Sequence, residues 1–163
     1  MREDGREGPP IVLYDYLAGF RGYLQVDGYP GYHKVAGATL VGCWANARRK
    51  FDEGLKALPD DKQKAAVTAR EGLEFCNQLF AIERGIRDAT NEERLKVRTE
   101  RSRPVVDAFL AWLRTQRSRV LAKSTLGLAI AYCLNQWEKL RSSCRTGDLS
   151  WTTTGASARL SRL

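Results

Sequence analysis

Asp27 is the residue whose type and position most directly suggest chemistry. It follows an alternating apolar stretch at residues 22–26 and precedes Gly28. A carboxylate fixed at the end of a strand by a Gly-containing turn can reach hard cations such as Mg²⁺, which prefer oxygen ligands. An Asp before Gly is more often a turn residue than a metal ligand. The spacing alone therefore leaves both interpretations open.

Positive charge is the second chemical feature. The chain has 27 Lys and Arg against 19 Asp and Glu, a net charge of +8, which favours a polyanionic partner such as nucleic acid. Arg48, Arg49 and Lys50 follow one another in a segment predicted to be helical, where they are candidates for contact with phosphates. A second basic group consists of Arg114, Arg117, Arg119 and Lys123. Contact with phosphates and exposure on a solvated helix face explain this group equally well.

Other residue types argue against common enzyme classes. His33 is the only histidine, so a His-based catalytic triad would have to be built around that one residue. The four cysteines are far apart with no C-x-x-C pair, and three lie among apolar residues, where a thiol behaves as a small hydrophobe. We therefore predict a reduced, cytoplasmic setting. No apolar run approaches the roughly 20 residues needed to cross a bilayer, so no membrane partner is expected.

The elements that must position these residues change character along the chain. Residues 11–16 and 22–26 predict two strands, and residues 39–43 form a third short apolar run before a helix that begins near Trp44. From Asp60 onward the apolar residues recur at helical spacing.

Local signals mark the later helices. Thr90 and Glu93 have the spacing of a capping box, Pro104 fits a first helical turn, and Ser124 is a candidate N-cap. Trp44, Trp112 and Trp137 lie near apolar stripes, which favours core packing over stacking on bases.

Two segments and several shorter ones carry a family resemblance. Residues 22–32 read G-Y-L-Q-V-D-G-Y-P-G-Y, and residues 41–51 read V-G-C-W-A-N-A-R-R-K-F. Further matches follow in order at I-E-R (82–84), E-R-L (93–95), K-S-T-L-G (123–127) and A-Y-C-L-N-Q-W (131–137). Over about residues 11–140 the chain resembles the central region of insertion sequence 66 family transposases.

The resemblance implies an RNase H-like fold and a particular chemistry. In this family three carboxylates, Asp, Asp and Glu, hold two divalent metals, Mg²⁺ or Mn²⁺, which activate water or a DNA 3′-hydroxyl for phosphoryl transfer. Asp27 matches the second Asp, so the resemblance assigns it a catalytic and metal-binding role. The implied partner is DNA at transposon ends, and Arg48, Arg49 and Lys50 become the predicted DNA-binding residues.

This chain departs from the family pattern at several places. The family's first Asp lies upstream of any strand present here, and a polar stretch is missing between Tyr16 and Leu17, which predicts an internal deletion. Asn46 stands where the family usually has His. After Leu140 the family's D-N-N-x-x-E segment is absent, although residues 141–163 can be encoded by codons that give such a segment in a shifted frame. We therefore predict a frameshift near Leu140.

These observations predict an α/β fold in which a partial RNase H-like sheet of about three strands precedes a mostly α-helical region. Residues 1–10 are predicted to be disordered, residues 11–58 to form the partial catalytic core, and residues 59–140 to form the helical region. Residues 141–163, rich in Ser and Thr, are predicted to be a disordered, out-of-frame tail.

The predicted function is that of a transposase fragment from a bacterial insertion sequence, descended from an enzyme of metal-dependent DNA cleavage and strand transfer. It is expected to be inactive alone, because it lacks the first Asp and the Glu. The alternative is a non-catalytic module that binds DNA, or that binds and inhibits a full-length transposase. Self-association is a further possible partnership.

Overall fold

The computed structural model describes residues 22–26, 38–147, 151 and 159–161. The described elements, in chain order, are β1 (Gly22–Val26), β2 (Ala38–Gly42), α1 (Trp44–Lys56), α2 (Gln63–Gly85), α3 (Asn91–Val97), a π-helical turn (Arg98–Ser102), α4 (Arg103–Arg117), α5 (Thr125–Asn135), α6 (Trp137–Ser142), a 3₁₀ turn (Ser143–Arg145) and β3 (Arg159–Ser161). The strand predicted at residues 11–16 lies outside the described residues.

The three described strands form one small mixed sheet of order β2-β1-β3. β1 runs parallel to β2, with Gly22 opposite Ala38, and antiparallel to β3, with Tyr23 opposite Ser161. The sheet meets the helices where Gly42 lies against Leu140 of α6, since a Cβ added at residue 42 would come within 2.8 Å of Leu140. A residue without a side chain is therefore required at this contact.

The predicted fold class is wrong, because the described residues are mostly α-helical and no RNase H-like sheet is seen among them. The described strands have only five, five and three residues. The physical reason lies in where apolar surface is buried. The described core is built from helical residues at three- and four-residue spacing, joined by Cys144 and Trp151, so the helices organise the fold.

Trp44, the first residue of α1, lies at the centre of this core. Its ring stacks on Trp151 at a centroid distance of 5.7 Å and meets Trp137 edge-on at 6.2 Å. Its indole Nε1 donates hydrogen bonds to the Leu140 carbonyl at 3.1 Å and to Ser143 Oγ at 2.7 Å. The prediction that Trp44 and Trp137 belong to the core is confirmed, since both are buried.

The local helix signals are also confirmed. The Thr90 hydroxyl accepts from the Glu93 backbone N–H at 3.2 Å, and the Glu93 carboxylate accepts from the Thr90 N–H at 3.0 Å, which completes a capping box. Ser124 caps α5 by accepting from the Gly127 N–H at 3.0 Å. Pro104 lies in the first turn of α4. These signals are local, so the sequence was sufficient to find them.

Part of the segment predicted as a disordered tail belongs to the packed structure. Cys144 and Trp151 are buried. Gly147 lies so close to Asn91 that an added Cβ would come within 1.8 Å of the Asn91 carbonyl oxygen. Helix α6 and the 3₁₀ turn together extend to Arg145, so the described part of this segment packs against the preceding helices.

None of the described helices combines the length and apolar character needed to span a bilayer.

Candidate nucleic-acid interface

Asp27, the predicted catalytic and metal-binding residue, lies outside the described residues, and so does His33. Within the described part of the chain, no group of three or more His, Cys, Asp or Glu side chains could hold a metal ion. The described residues therefore form no metal site of their own, and no catalytic step through Mg²⁺ or Mn²⁺ follows from them.

The basic run on α1 is largely engaged within the protein. The Arg48 guanidinium is exposed, and its Nε donates to Asn77 Oδ1 of α2 at 2.7 Å. Arg49 is also exposed; its Nη2 donates to Asn46 Oδ1, and its Nε lies 3.8 Å from the Glu53 carboxylate. Both guanidinium groups thus reach solvent but already have polar partners.

Lys50 is oriented differently from the two arginines. Its Nζ lies 4.7 Å from the centre of the Tyr132 ring on α5, a cation–π contact. The Tyr132 hydroxyl in turn accepts from Asn46 Nδ2 at 2.9 Å. Successive helical residues point about 100° apart, so adjacency along the sequence does not place the three cations in one patch.

A second group of cations lines an open cleft of about 880 Å³ beside the α1–α2 and α4–α5 turns. We call it the basic cleft. Its cations are Lys62, Lys64 and Arg119, all exposed. The one carboxylate among its described lining residues is Glu71, whose Oε2 accepts from Trp112 Nε1 at 3.0 Å.

Sequence reasoning identified Arg119 as part of an ambiguous cluster and missed Lys62 and Lys64. Asp60 and Asp61 immediately precede Lys62, so residues 60–64 carry no net charge in the sequence. A useful signal was the start of α2 at Gln63, because a helix begun there places Lys64 and Thr68 one turn apart on the same side.

Among the residues that the structure describes, the most deeply buried ionic contact joins Arg98 and Glu83. Arg98 Nη2 donates to Glu83 Oε1 at 2.6 Å and Arg98 Nε to Oε2 at 2.9 Å, a bidentate pair. Arg98 Nη1 donates to the Thr146 carbonyl at 2.6 Å, and the guanidinium lies 5.2 Å from the centre of the Trp151 ring. Glu83, which lies in the I-E-R match at residues 82–84, is therefore the acidic partner of a buried ion pair.

All four cysteines are free and buried, which confirms the packing role predicted for the three that lie among apolar residues. Burial raises the pKa of the Cys76 and Cys144 thiols to about 12 and raises that of Cys133 well above its ordinary value. A neutral thiol is a weak nucleophile. These cysteines therefore serve packing rather than chemistry.

Comparison with known proteins gives a consistent family relationship. The family model described as "Transposase IS66 family" matches residues 4–156. Three curated proteins of Sinorhizobium fredii, each described as uncharacterized, are similar to this chain. y4hP is 32% identical over 98% of this chain and 33% of its own length, y4qI is 30% identical over 85% and 29%, and y4jD is 32% identical over 82% and 27%.

The chain thus spans about a third of the length of the curated relatives it matches. No solved structure matches it significantly. Because the family model covers nearly the whole sequence, the assignment does not depend on one short motif. This chain belongs to the IS66 family of transposases.

Proposed function

We propose that this chain is a DNA-binding segment of an insertion-sequence transposase that does not join DNA strands on its own. The observation that carries the proposal is the family match over residues 4–156. The charge of +8 supports it, because a polyanionic partner is favoured for such a chain.

Asp27 is the residue we propose for metal-dependent chemistry, on the basis of its match to the second family Asp. Phosphoryl transfer depends on positioning and electrostatic stabilisation by the complete cluster, and two of the three carboxylates have no counterpart that we identify. The alignment with y4hP is longer than this chain, 184 positions against 163 residues, so the relative has residues that this chain lacks. This supports the proposed internal deletion.

We assign the first DNA contacts to Arg48, Arg49 and Lys50 on α1. The two arginines support this because both are exposed, and a guanidinium with one or two internal partners retains further N–H donors for phosphate oxygens. Lys50 is only half-exposed and lies over Tyr132. Its contribution is expected to be the smallest of the three.

The test combines two assays on the purified chain. Fluorescence anisotropy with a labelled duplex should show salt-dependent binding, and a strand-joining assay with transposon ends and Mg²⁺ should show no product. Asp27→Ala should leave the binding unchanged. Mg²⁺-dependent joining that Asp27→Ala abolishes would contradict the proposed inactivity, and absence of DNA binding would contradict the proposed interface.

A second candidate is a non-catalytic role in which the chain binds a full-length transposase and inhibits it. The observation that favours it is the described core, whose buried residues lie between positions 44 and 151 and pack into one helical unit that could present a surface to a protein partner. Co-purification with a full-length relative, together with loss of that relative's joining activity, would select this role over direct DNA binding.

A further inference from the structure

We propose that the basic cleft is a second DNA-binding surface, which holds the phosphate backbone through Lys62, Lys64 and Arg119. The inference rests on the proposed function in taking duplex DNA as the ligand. It goes beyond that function because two of the three cations belong to no basic run in the sequence and are brought together with the third only by the fold.

The cations of the basic cleft are available to a ligand. Among the described residues, the side chains of Lys62, Lys64 and Arg119 form none of the ion pairs or side-chain hydrogen bonds that engage the α1 cations. Asp60 and Asp61 are close in sequence but do not line the cleft. An unpaired cation can release a phosphate counterion on binding without first breaking an internal contact.

One wall of the basic cleft, formed by the α4–α5 turn, has a fixed backbone conformation. Gly127 lies against the Leu121 carbonyl, where an added Cβ would come within 2.1 Å of the oxygen. Ser124 Oγ donates to the same carbonyl at 2.6 Å and caps α5. These contacts hold the backbone of the α4–α5 turn, which carries Arg119, in one conformation, and a pre-organised backbone lowers the entropy lost on binding.

The lining of the basic cleft and the charge of the whole chain together favour a nucleic acid over an acidic peptide as the ligand. The cleft is lined in part by apolar residues such as Leu58 and Val120, and Leu121 at its edge is 80% exposed. Such surfaces suit either deoxyribose or an apolar side chain. An extended duplex carries phosphates along its whole length and can meet exposed cations beyond the cleft, whereas a short peptide reaches only the cleft. The excess of positive charge across the chain therefore favours DNA.

The test compares two variants of the full chain that each lose three positive charges. The cleft variant is Lys62→Gln/Lys64→Gln/Arg119→Gln. The control variant is Lys96→Gln/Arg101→Gln/Arg103→Gln, at positions that are also exposed and lie outside the cleft. Thermal unfolding establishes that both are folded. Anisotropy with a labelled duplex, measured from low to moderate salt, gives the affinity and its salt dependence.

The cleft variant is expected to bind at least about tenfold more weakly near 0.1 M salt, and its log–log salt slope should fall by about 2.7, since each phosphate contact contributes about 0.9. The control variant should change less than about threefold. Equal weakening of both variants, or of neither while the wild type binds, would overturn the cleft and leave DNA binding intact. If the wild type itself fails to bind, the proposed function fails too. Cleft-dependent binding of a poly-glutamate peptide that is tighter than that of DNA would reassign the cleft to a protein partner.

Discussion

The interior around Arg98 and the basic cleft use positive charge in opposite ways. Arg98 is 0% exposed and directs its guanidinium at Glu83, Thr146 and Trp151. The cations of the cleft are exposed, and their charged ends have no described carboxylate within ion-pair distance. The first charge is used to hold the fold together, and the others remain available to a ligand.

The α1 run lies between these two cases, because Arg48 and Arg49 are exposed yet internally bonded. Net charge read from the sequence does not separate the three situations. Burial and pairing do, since a desolvated charge requires a partner while an exposed charge can exchange water for phosphate. The following experiments test this division, beginning with the largest expected effect.

Arg98→Met should destabilise the chain by about 3–5 kcal/mol, because it leaves the buried Glu83 carboxylate without its partner. Urea denaturation followed by tryptophan fluorescence measures the free energy of unfolding. Arg101→Met is the matched control, since Arg101 is exposed and lies in the same π-helical turn. The double variant Glu83→Gln/Arg98→Met should recover part of the loss. Equal effects of Arg98→Met and Arg101→Met would show that the buried pair does not stabilise the fold.

The interior should also protect its thiols. With the pKa of Cys76 and Cys144 raised to about 12 by burial, the thiolate fraction at pH 8 is about a thousandfold below that of an ordinary cysteine. A disulfide reagent should therefore react with the native chain far more slowly than with the urea-unfolded chain. Because the unfolded thiols ionise at lower pH than the folded ones, stability should fall as pH rises above about 9. Rapid reaction of the native chain would contradict the described core.

The smallest effect is expected on α1. Arg48→Gln/Arg49→Gln should weaken DNA binding only a few-fold, because both guanidinium groups already have internal hydrogen-bond partners and contribute less to phosphate binding than unpaired cations do. Lys62→Gln/Lys64→Gln removes the same charge from the cleft and should weaken binding more. A larger loss from the α1 pair would reverse the ranking of the two surfaces.

The features that sequence predicted correctly are those fixed by neighbours along the chain. The Thr90–Glu93 capping box is one example, because its partners are three residues apart. The pairing of Glu83 with Arg98 was not predicted, because it depends on how α2 packs beside the π-helical turn.

The long-range features could not be inferred in the same way. Strand β3 lies in the segment predicted as a tail and pairs with β1, more than a hundred residues earlier. The walls of the basic cleft come from turns that are also far apart in sequence. Two of the predicted strands are present, as β1 and β2, but the fold class they suggested is wrong, since the burial that organises the described residues falls between helices.

The proposal that the cleft cations, more than the other exposed cations, bind DNA is tested most directly by measuring lysine reactivity with and without DNA. Limited acetylation followed by mass spectrometry reports Lys62, Lys64, Lys50 and Lys96 in one experiment, and all four are described by the structure. We predict that duplex DNA strongly protects Lys62 and Lys64, protects Lys50 weakly, and leaves Lys96 unchanged. Full reactivity of Lys62 and Lys64 in a saturated complex would show that the cleft is not where this chain meets DNA.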